Sequence, residues 1–115
     1  MRILGIDPGT RVVGYGIVDR SDRGFTYVEC GVIRLVETDP MPDRLLMLAG
    51  ELGAIIGEYK PAVVALETAF HGVNASSALK LGQARGAVML VSAQHGLGVA
   101  EYAPALIKRA VVGHG

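Results

Sequence analysis

Short apolar runs separated by polar turns fill the first third of the chain and predict strands. Residues 3–6 form an apolar, β-branched run that ends abruptly at Asp7-Pro8-Gly9, which is a turn signal. Two longer apolar runs cover residues 12–19 and 25–35, with hairpin-turn chemistry at 21–24 between them. We therefore expect three consecutive strands arranged as an antiparallel meander.

A helical pattern follows over residues 43–60, where apolar residues recur at intervals of three and four positions. Pro61 ends this helix, and the continuous apolar run 62–66 predicts a strand that is buried on both faces. The order strand, crossover helix, strand is typical of a unit whose two strands lie parallel, most simply this strand and the first one. Asp7 and Glu67 follow these two strands. We therefore expect them side by side at one edge of the sheet, where open α/β sheets bind ligands.

A second helix is predicted over residues 75–95, with Asn74 or Ser76 as its cap. Its apolar residues lie on nearly every side, and a helix of this kind is usually covered on every side. In so small a domain the second covering layer is expected to be another subunit; the alternative is a helix enclosed between the sheet and the tail. A fifth strand at 98–102 and a short basic helix at 104–112 complete the pattern.

Composition narrows the class of protein. The chain has 115 residues, of which 50% are hydrophobic, which indicates one compact α/β domain rather than a disordered chain. Its formal net charge is zero, so nucleic-acid binding has to be argued from local patches. Neither a membrane span nor a secretory signal is apparent. The single cysteine, Cys30, is expected to be a buried thiol in a reducing cytoplasm.

The predicted pair of carboxylates carries the strongest chemical signal. Asp7 alone has a plain alternative interpretation, because an aspartate before Pro-Gly can simply cap the turn. Two like charges placed together, however, are costly unless a cation neutralises them, and carboxylate oxygens suit Mg²⁺ or Mn²⁺. Two such ions would activate a water and stabilise the leaving oxygen of a phosphodiester. The hypothesis is metal-dependent phosphodiester hydrolysis; the motifs of phosphate loops, dinucleotide sites, zinc sites and serine hydrolases are absent from the sequence.

Three stretches resemble the RuvC Holliday-junction resolvases: GIDPGTRVVGYGIVD, ALETAFHGVNASSALKLGQARGAVM and EYAPALIKRAVVGHG. The resemblance spans essentially the whole chain. It implies an RNase H-like (integrase-superfamily) fold with a five-stranded mixed sheet and flanking helices. It also implies a homodimer that cuts two symmetric strands of a four-way DNA junction during recombination and repair. The apolar pattern of the 75–95 helix makes this helix the expected dimer interface, and the protein is expected to be cytoplasmic. Branch-migration motor proteins are the further partners that the resemblance implies.

The resemblance also assigns roles to individual residues. The acids that match Asp7 and Glu67 bind the catalytic metal in that family, the aromatic residue that matches Phe70 stacks on an unpaired base, and the lysine that matches Lys108 contacts DNA near the scissile phosphate. The residues alone allow a different interpretation of both positions. Phe70 is equally well explained as a hydrophobic plug under its loop, and Lys108 as a solvated residue on the face of a helix. Weaker candidates for DNA-backbone contact are Arg11, Lys80, Arg85 and Arg109.

One departure from the family pattern shapes the functional expectation. The family's metal site has four acids, and the last two belong to a C-terminal helix that these 115 residues do not include. We therefore expect an incomplete form that binds metal weakly and cleaves poorly or not at all. Two other functions stay open: a dimeric junction-binding module without catalysis, and an actin-like ATP-binding domain with its phosphate turn at residues 7–10.

Overall fold

The computed structural model describes residues 1–68 and 74–102. Within these residues, two helices and five strands form in the predicted order: β1 (Arg2–Asp7), β2 (Val12–Ser21), β3 (Gly24–Arg34), α1 (Met41–Tyr59), β4 (Val63–Glu67), α2 (Ala75–Gln94) and β5 (Gly98–Tyr102). The basic helix predicted at 104–112 lies outside the described residues.

The strands form one mixed sheet in the order β3-β2-β1-β4-β5. The first three strands are antiparallel neighbours, as the hairpin signals predicted. β4 is parallel to β1 on one side and to β5 on the other. The expectation drawn from the strand–helix–strand unit is therefore confirmed, and the parallel pair β1–β4 lies at the centre of the sheet.

Helix α1 begins at Met41, two residues before the predicted start, because Pro42 is accommodated in the first turn of the helix, where a missing N–H group costs nothing. Its predicted apolar stripe is confirmed, with Leu48, Leu52 and Ile56 buried against the sheet. The helix ends at Tyr59, and Lys60 closes it in the left-handed conformation at a φ of 50°.

Helix α2 is capped by Asn74, whose side-chain oxygen accepts a hydrogen bond of 2.8 Å from the backbone N–H of Ser77. The helix packs against α1 and β5. Coverage on every side is not observed in the single chain, because Leu79 and Leu90 remain 66% and 60% exposed. Only the face that carries Ala84, Val88, Val91 and Ser92 is buried, so the second covering layer stays a prediction.

The two faces of the sheet are packed differently. Alternate residues of β1 and β4 contribute to a large core shared with α1 and α2: Leu4, Ile6, Val64 and Leu66. The opposite face carries a small cluster of Ile3, Val18 and Ala65. Because side chains alternate along a strand, Asp7 and Glu67 belong to this second face. Neither described helix is long and apolar enough to cross a membrane.

Candidate metal centre

Asp7 is the last residue of β1, and Glu67 is the last residue of β4. The parallel register pairs Ile6 with Leu66, so the next position on each strand brings the two acids level with one another. Neighbouring strands lie about 4.8 Å apart, and equivalent positions project to the same face. The register therefore places Asp7 and Glu67 at neighbouring backbone positions at one edge of the sheet, where the sequence predicted them.

The two acids differ in their exposure. Asp7 is exposed to solvent, whereas Glu67 is only 9% exposed and its Oε2 atom is withdrawn from solvent. A buried carboxylate beside a second one raises the electrostatic cost of keeping both ionised. A hard divalent cation lowers that cost, and carboxylate oxygens are the ligands that Mg²⁺ or Mn²⁺ prefers. The donor set therefore fits one edge of a magnesium or manganese site that is open on the Asp7 side.

Within residues 1–68 and 74–102, no group of three or more acidic, histidine or cysteine side chains is arranged to hold a metal ion. Among the described residues, Asp7 and Glu67 therefore form only part of a metal-ligand set. Mg²⁺ commonly binds proteins through one or two carboxylates and keeps several waters, so a pair of acids remains compatible with it.

A tight turn fixes the backbone that follows Asp7. A side chain at Gly9 would overlap the carbonyl oxygen of Val12, so only glycine fits this close approach. The turn is also tied to the segment after β3, because Leu35 donates its backbone N–H to the carbonyl of Arg11 at 2.8 Å. These contacts hold in place the strand end that presents Asp7.

Arg44 of α1 reinforces the same turn and was not singled out from the sequence. Its guanidinium donates to the carbonyl of Thr10 at 3.3 Å, to that of Asp39 at 2.9 Å and to that of Glu37. Five fixed donors let one arginine link several loop carbonyls in this way. No sequence signal marks Arg44, because its partners lie in two separate loops that meet only in the folded chain.

The basic residues predicted to contact DNA are in different environments. Arg11 lies in the turn after β1 and pairs with Glu37 at 3.2 Å, with both side chains mostly exposed. Lys80 is exposed on α2. Arg85 is only 12% exposed and pairs with Glu101, which places its guanidinium among protein partners. The predicted contacts Phe70, Lys108 and Arg109 lie outside the described residues.

Several side chains elsewhere on the sheet have shifted pKa values. At the start of β1, Arg2 donates two hydrogen bonds to the carboxylate of Asp19. They lower the pKa of Asp19 and raise the pKa of Arg2. On β3, Tyr27 donates to the sulfur of Cys30 at 3.5 Å, and this bond raises the pKa of Tyr27 to about 12. Cys30 is half-buried rather than fully buried, which corrects the expectation from its sequence context.

Comparison with known proteins brings these observations together. The model of the family described as crossover junction endodeoxyribonuclease RuvC matches residues 3–115. A protein of that name from Azorhizobium caulinodans is 49% identical over 115 residues, which cover all of this chain and 68% of that relative. The chain likewise spans 66% of the length of a relative of the same name from Rhodopseudomonas palustris.

Solved structures agree with the fold. The Thermus thermophilus RuvC structure superposes with a TM-score of 0.81 at 28% identity, over 99% of this chain and 70% of that one. T. thermophilus RuvC in complex with a Holliday junction substrate gives a TM-score of 0.84 at 24% identity, over 99% of this chain and 80% of that one. The five-stranded mixed sheet is therefore that of the RNase H-like fold.

Proposed function

The chain belongs to the RuvC family of crossover junction endodeoxyribonucleases, and from this membership we propose that it resolves four-way DNA junctions in recombination and repair. The proposed reaction is hydrolysis of a phosphodiester with the help of a divalent cation, Mg²⁺ or Mn²⁺. The observation that carries the proposal is the level placement of Asp7 and Glu67 at the ends of two central parallel strands.

The two acids would divide the work of holding the cation. Glu67, buried at the end of β4, has a fixed position and anchors the site. Asp7 faces solvent, so it can share a cation with a phosphate oxygen that arrives from outside. When bound, such a cation lowers the pKa of a water and offsets the charge that develops on the phosphate. The sheet already fixes the backbone at both strand ends, so only side-chain torsions have to adjust for the two carboxylates to share a cation.

The DNA backbone would be held by basic residues around this edge of the sheet. Arg11 is close in sequence to Asp7, and its exposed pair with Glu37 is worth little in water, so a phosphate can replace Glu37 as its partner. Lys80 is exposed on α2 and can meet a phosphate at a greater distance from the acids. We retain Phe70 as the stacking residue and Lys108 as a phosphate contact, because the family resemblance implies these roles. Arg109 remains a weaker candidate for contact with the DNA backbone.

A homodimer would match the near-two-fold symmetry of a four-way junction, since an isologous interface presents two identical sites. The exposed leucines of α2 support this arrangement, because large apolar side chains at such exposure favour a protein partner. We further propose action on DNA in the cytoplasm, with branch-migration motor proteins as partners.

A second candidate function is junction binding without cleavage. It is favoured by the limited ligand set, because the described residues bring only Asp7 and Glu67 together. Two carboxylates bind a divalent cation weakly, and we expect a polypeptide limited to these 115 residues to cleave slowly or not at all.

Cleavage of a labelled synthetic four-way junction distinguishes the two candidates. The nuclease proposal expects cuts in Mg²⁺ or Mn²⁺ and none in EDTA, with activity lost in Asp7→Asn and Glu67→Gln. Asp22→Asn, an isosteric change in the exposed hairpin turn at the opposite end of the sheet, is the matched control and should cut like the wild type. Junction-selective binding without cuts would support the binding module. Equal affinity for junction and linear duplex would overturn both.

A further inference from the structure

Arg85 lies on the buried side of α2 and reaches the end of the strand that carries Glu67. Its guanidinium donates one hydrogen bond to the backbone carbonyl of Glu67 and another to the carboxylate of Glu101. Only 12% of its side chain is exposed, against 52% for Glu101. An arginine in this position is poorly placed to meet a DNA phosphate, the role for which the sequence made Arg85 a weaker candidate.

The partners of Arg85, Glu67 and Glu101, lie on two neighbouring strands and are offset by one residue in the register. β4 and β5 are parallel, and Leu66 pairs with Glu101 while Glu67 pairs with Tyr102. Arg85 therefore links three elements at one point: α2, the last peptide of β4 and the end of β5. A planar guanidinium with several donors suits such a link, because each bond restricts the orientation of the others.

The bond to the Glu67 carbonyl acts on the acid itself. Holding that carbonyl restrains the backbone at Glu67 and hence the direction in which its side chain leaves the Cα atom, which narrows the region that the carboxylate can reach. Glu101 offsets the positive charge of a largely buried guanidinium, which would otherwise be costly to desolvate. Partners that bond directly to a metal-binding side chain typically change metal affinity by 10–100-fold when they are removed, and we expect a partner of the ligand's backbone carbonyl to act in the same direction.

We propose that Arg85 is a positioning residue that holds Glu67 in the geometry for cation binding, with Glu101 as its counter-ion. This role replaces that of a DNA-backbone contact. It rests on the proposed function, in which Glu67 holds a divalent cation.

The first test compares Mn²⁺ affinity, followed by electron paramagnetic resonance or calorimetry, in the wild type and three variants. Arg85→Met should lower the affinity about tenfold or more. Arg85→Lys keeps the positive charge but loses the planar guanidinium, and Glu101→Gln removes the counter-ion. Both variants should lower the Mn²⁺ affinity, but by less than Arg85→Met does. Arg20→Met, an exposed arginine at the opposite end of the sheet, is the matched control and should bind Mn²⁺ as the wild type does.

The second test needs no metal. Amide hydrogen exchange at the end of β4, residues 66–68, should accelerate in Arg85→Met and remain at the wild-type rate in Arg20→Met. Junction affinity should also be measured in EDTA at several salt concentrations. The slope of log affinity against log salt concentration should be the same in Arg85→Met as in the wild type, because no phosphate contact is lost.

The outcomes separate the two claims. If the wild type binds no Mn²⁺ through Asp7, the metal centre fails and the positioning role falls with it. If the wild type binds but Arg85→Met binds equally well, only the positioning role is overturned. A reduced salt slope in Arg85→Met would return Arg85 to DNA contact. If Arg85→Met does not fold, the milder Glu101→Gln decides by the same measurements, and wild-type Mn²⁺ affinity in it would overturn the proposal.

Discussion

Asp7 and Glu67 lie level on neighbouring parallel strands, one residue beyond the paired Ile6 and Leu66. Each acid closes its strand, and both belong to the face of the sheet opposite α1 and α2. The backbone positions of the pair are therefore held by one of the two inner hydrogen-bonded ladders of the sheet, and their spacing is set by the sheet.

Divalent cations should accordingly stabilise the fold through these two residues. A ligand that binds only the folded state adds RT ln(1 + [L]/Kd), which is about 1.4 kcal/mol when the ligand is present at ten times its Kd. We expect the thermal unfolding midpoint to rise with millimolar Mn²⁺ in the wild type and in Asp22→Asn. In Asp7→Asn the rise should disappear. A rise of the same size in Asp7→Asn would place the ion elsewhere.

The adjacency of Asp7 and Glu67 was predictable because it needs only two pieces of information. The apolar runs mark where the strands end, and the crossover helix between them makes the strands parallel. Both follow from local sequence patterns. Since parallel strands end at one edge of a sheet, the convergence of the acids follows without any knowledge of side-chain packing.

The contacts around the acids were not predictable in the same way. Arg85 and Arg44 bond to backbone carbonyls of distant segments, and a carbonyl leaves no trace in the sequence. The angle at which a helix crosses the sheet decides which carbonyl an arginine reaches, and that angle depends on tertiary packing. The apolar residues of α2 predicted a second covering layer from another subunit, and the single chain leaves that prediction untested.

The exposed face of α2 leads to a prediction about assembly. Leu79 and Leu90 are 66% and 60% exposed, and Gly82 and Gly86 between them permit close approach of a second backbone. In a symmetric interface, Leu90→Glu would bury two like charges, which is costly. We expect sedimentation to show a dimer for the wild type and a monomer for Leu90→Glu.

Leu46→Glu is the matched control for this experiment, because Leu46 is 72% exposed on α1 rather than on α2. It should sediment as the wild type does. A dimeric Leu90→Glu, or a wild type that stays monomeric at tens of micromolar, would contradict an interface through the 75–95 helix.

The ion pair between Arg2 and Asp19 should make stability depend on acid pH. Arg2 donates to both carboxylate oxygens, at 2.9 and 3.1 Å, and this lowers the pKa of Asp19 in the folded state. A lowered folded-state pKa contributes stability that is fully present above the unfolded pKa of about 3.9 and is lost as the pH falls through the folded value.

We therefore expect the urea midpoint of the wild type to drop on going from about pH 6 to about pH 2.5. The urea midpoint of Asp19→Asn should be lower than that of the wild type at about pH 6. It should also fall less towards about pH 2.5, because the asparagine has no charge to lose. Asp22→Asn should keep the full wild-type drop, because Asp22 is exposed in the hairpin turn. If the urea midpoints of the wild type and Asp19→Asn fell by the same amount with pH, the Arg2–Asp19 ion pair would be ruled out as a source of the acid sensitivity.

Gly9 gives the sharpest test of the turn that presents Asp7. A Cβ atom there would overlap the carbonyl oxygen of Val12, which is a backbone atom and cannot rotate away. Gly9→Ala must therefore shift the turn, at a cost of about 1–3 kcal/mol in the free energy of unfolding. The same shift would displace the end of β1 and weaken Mn²⁺ binding at Asp7. Chemical unfolding and Mn²⁺ titration measure the two effects independently.

Gly50→Ala is the matched control, because a Cβ on Gly50 meets nothing within 4 Å. Both variants restrict the unfolded chain in the same manner, so the unfolded-state contribution cancels in the comparison. Gly50 lies inside α1, where alanine is the better helix former, and the change should raise the free energy of unfolding by about 0.5–1 kcal/mol. If Gly9→Ala lowers the free energy of unfolding and Gly50→Ala raises it, the steric constraint lies in the turn after Asp7. Equal and favourable effects would mean that the turn can relax, and the acid pair would then owe its geometry to the β1–β4 ladder alone.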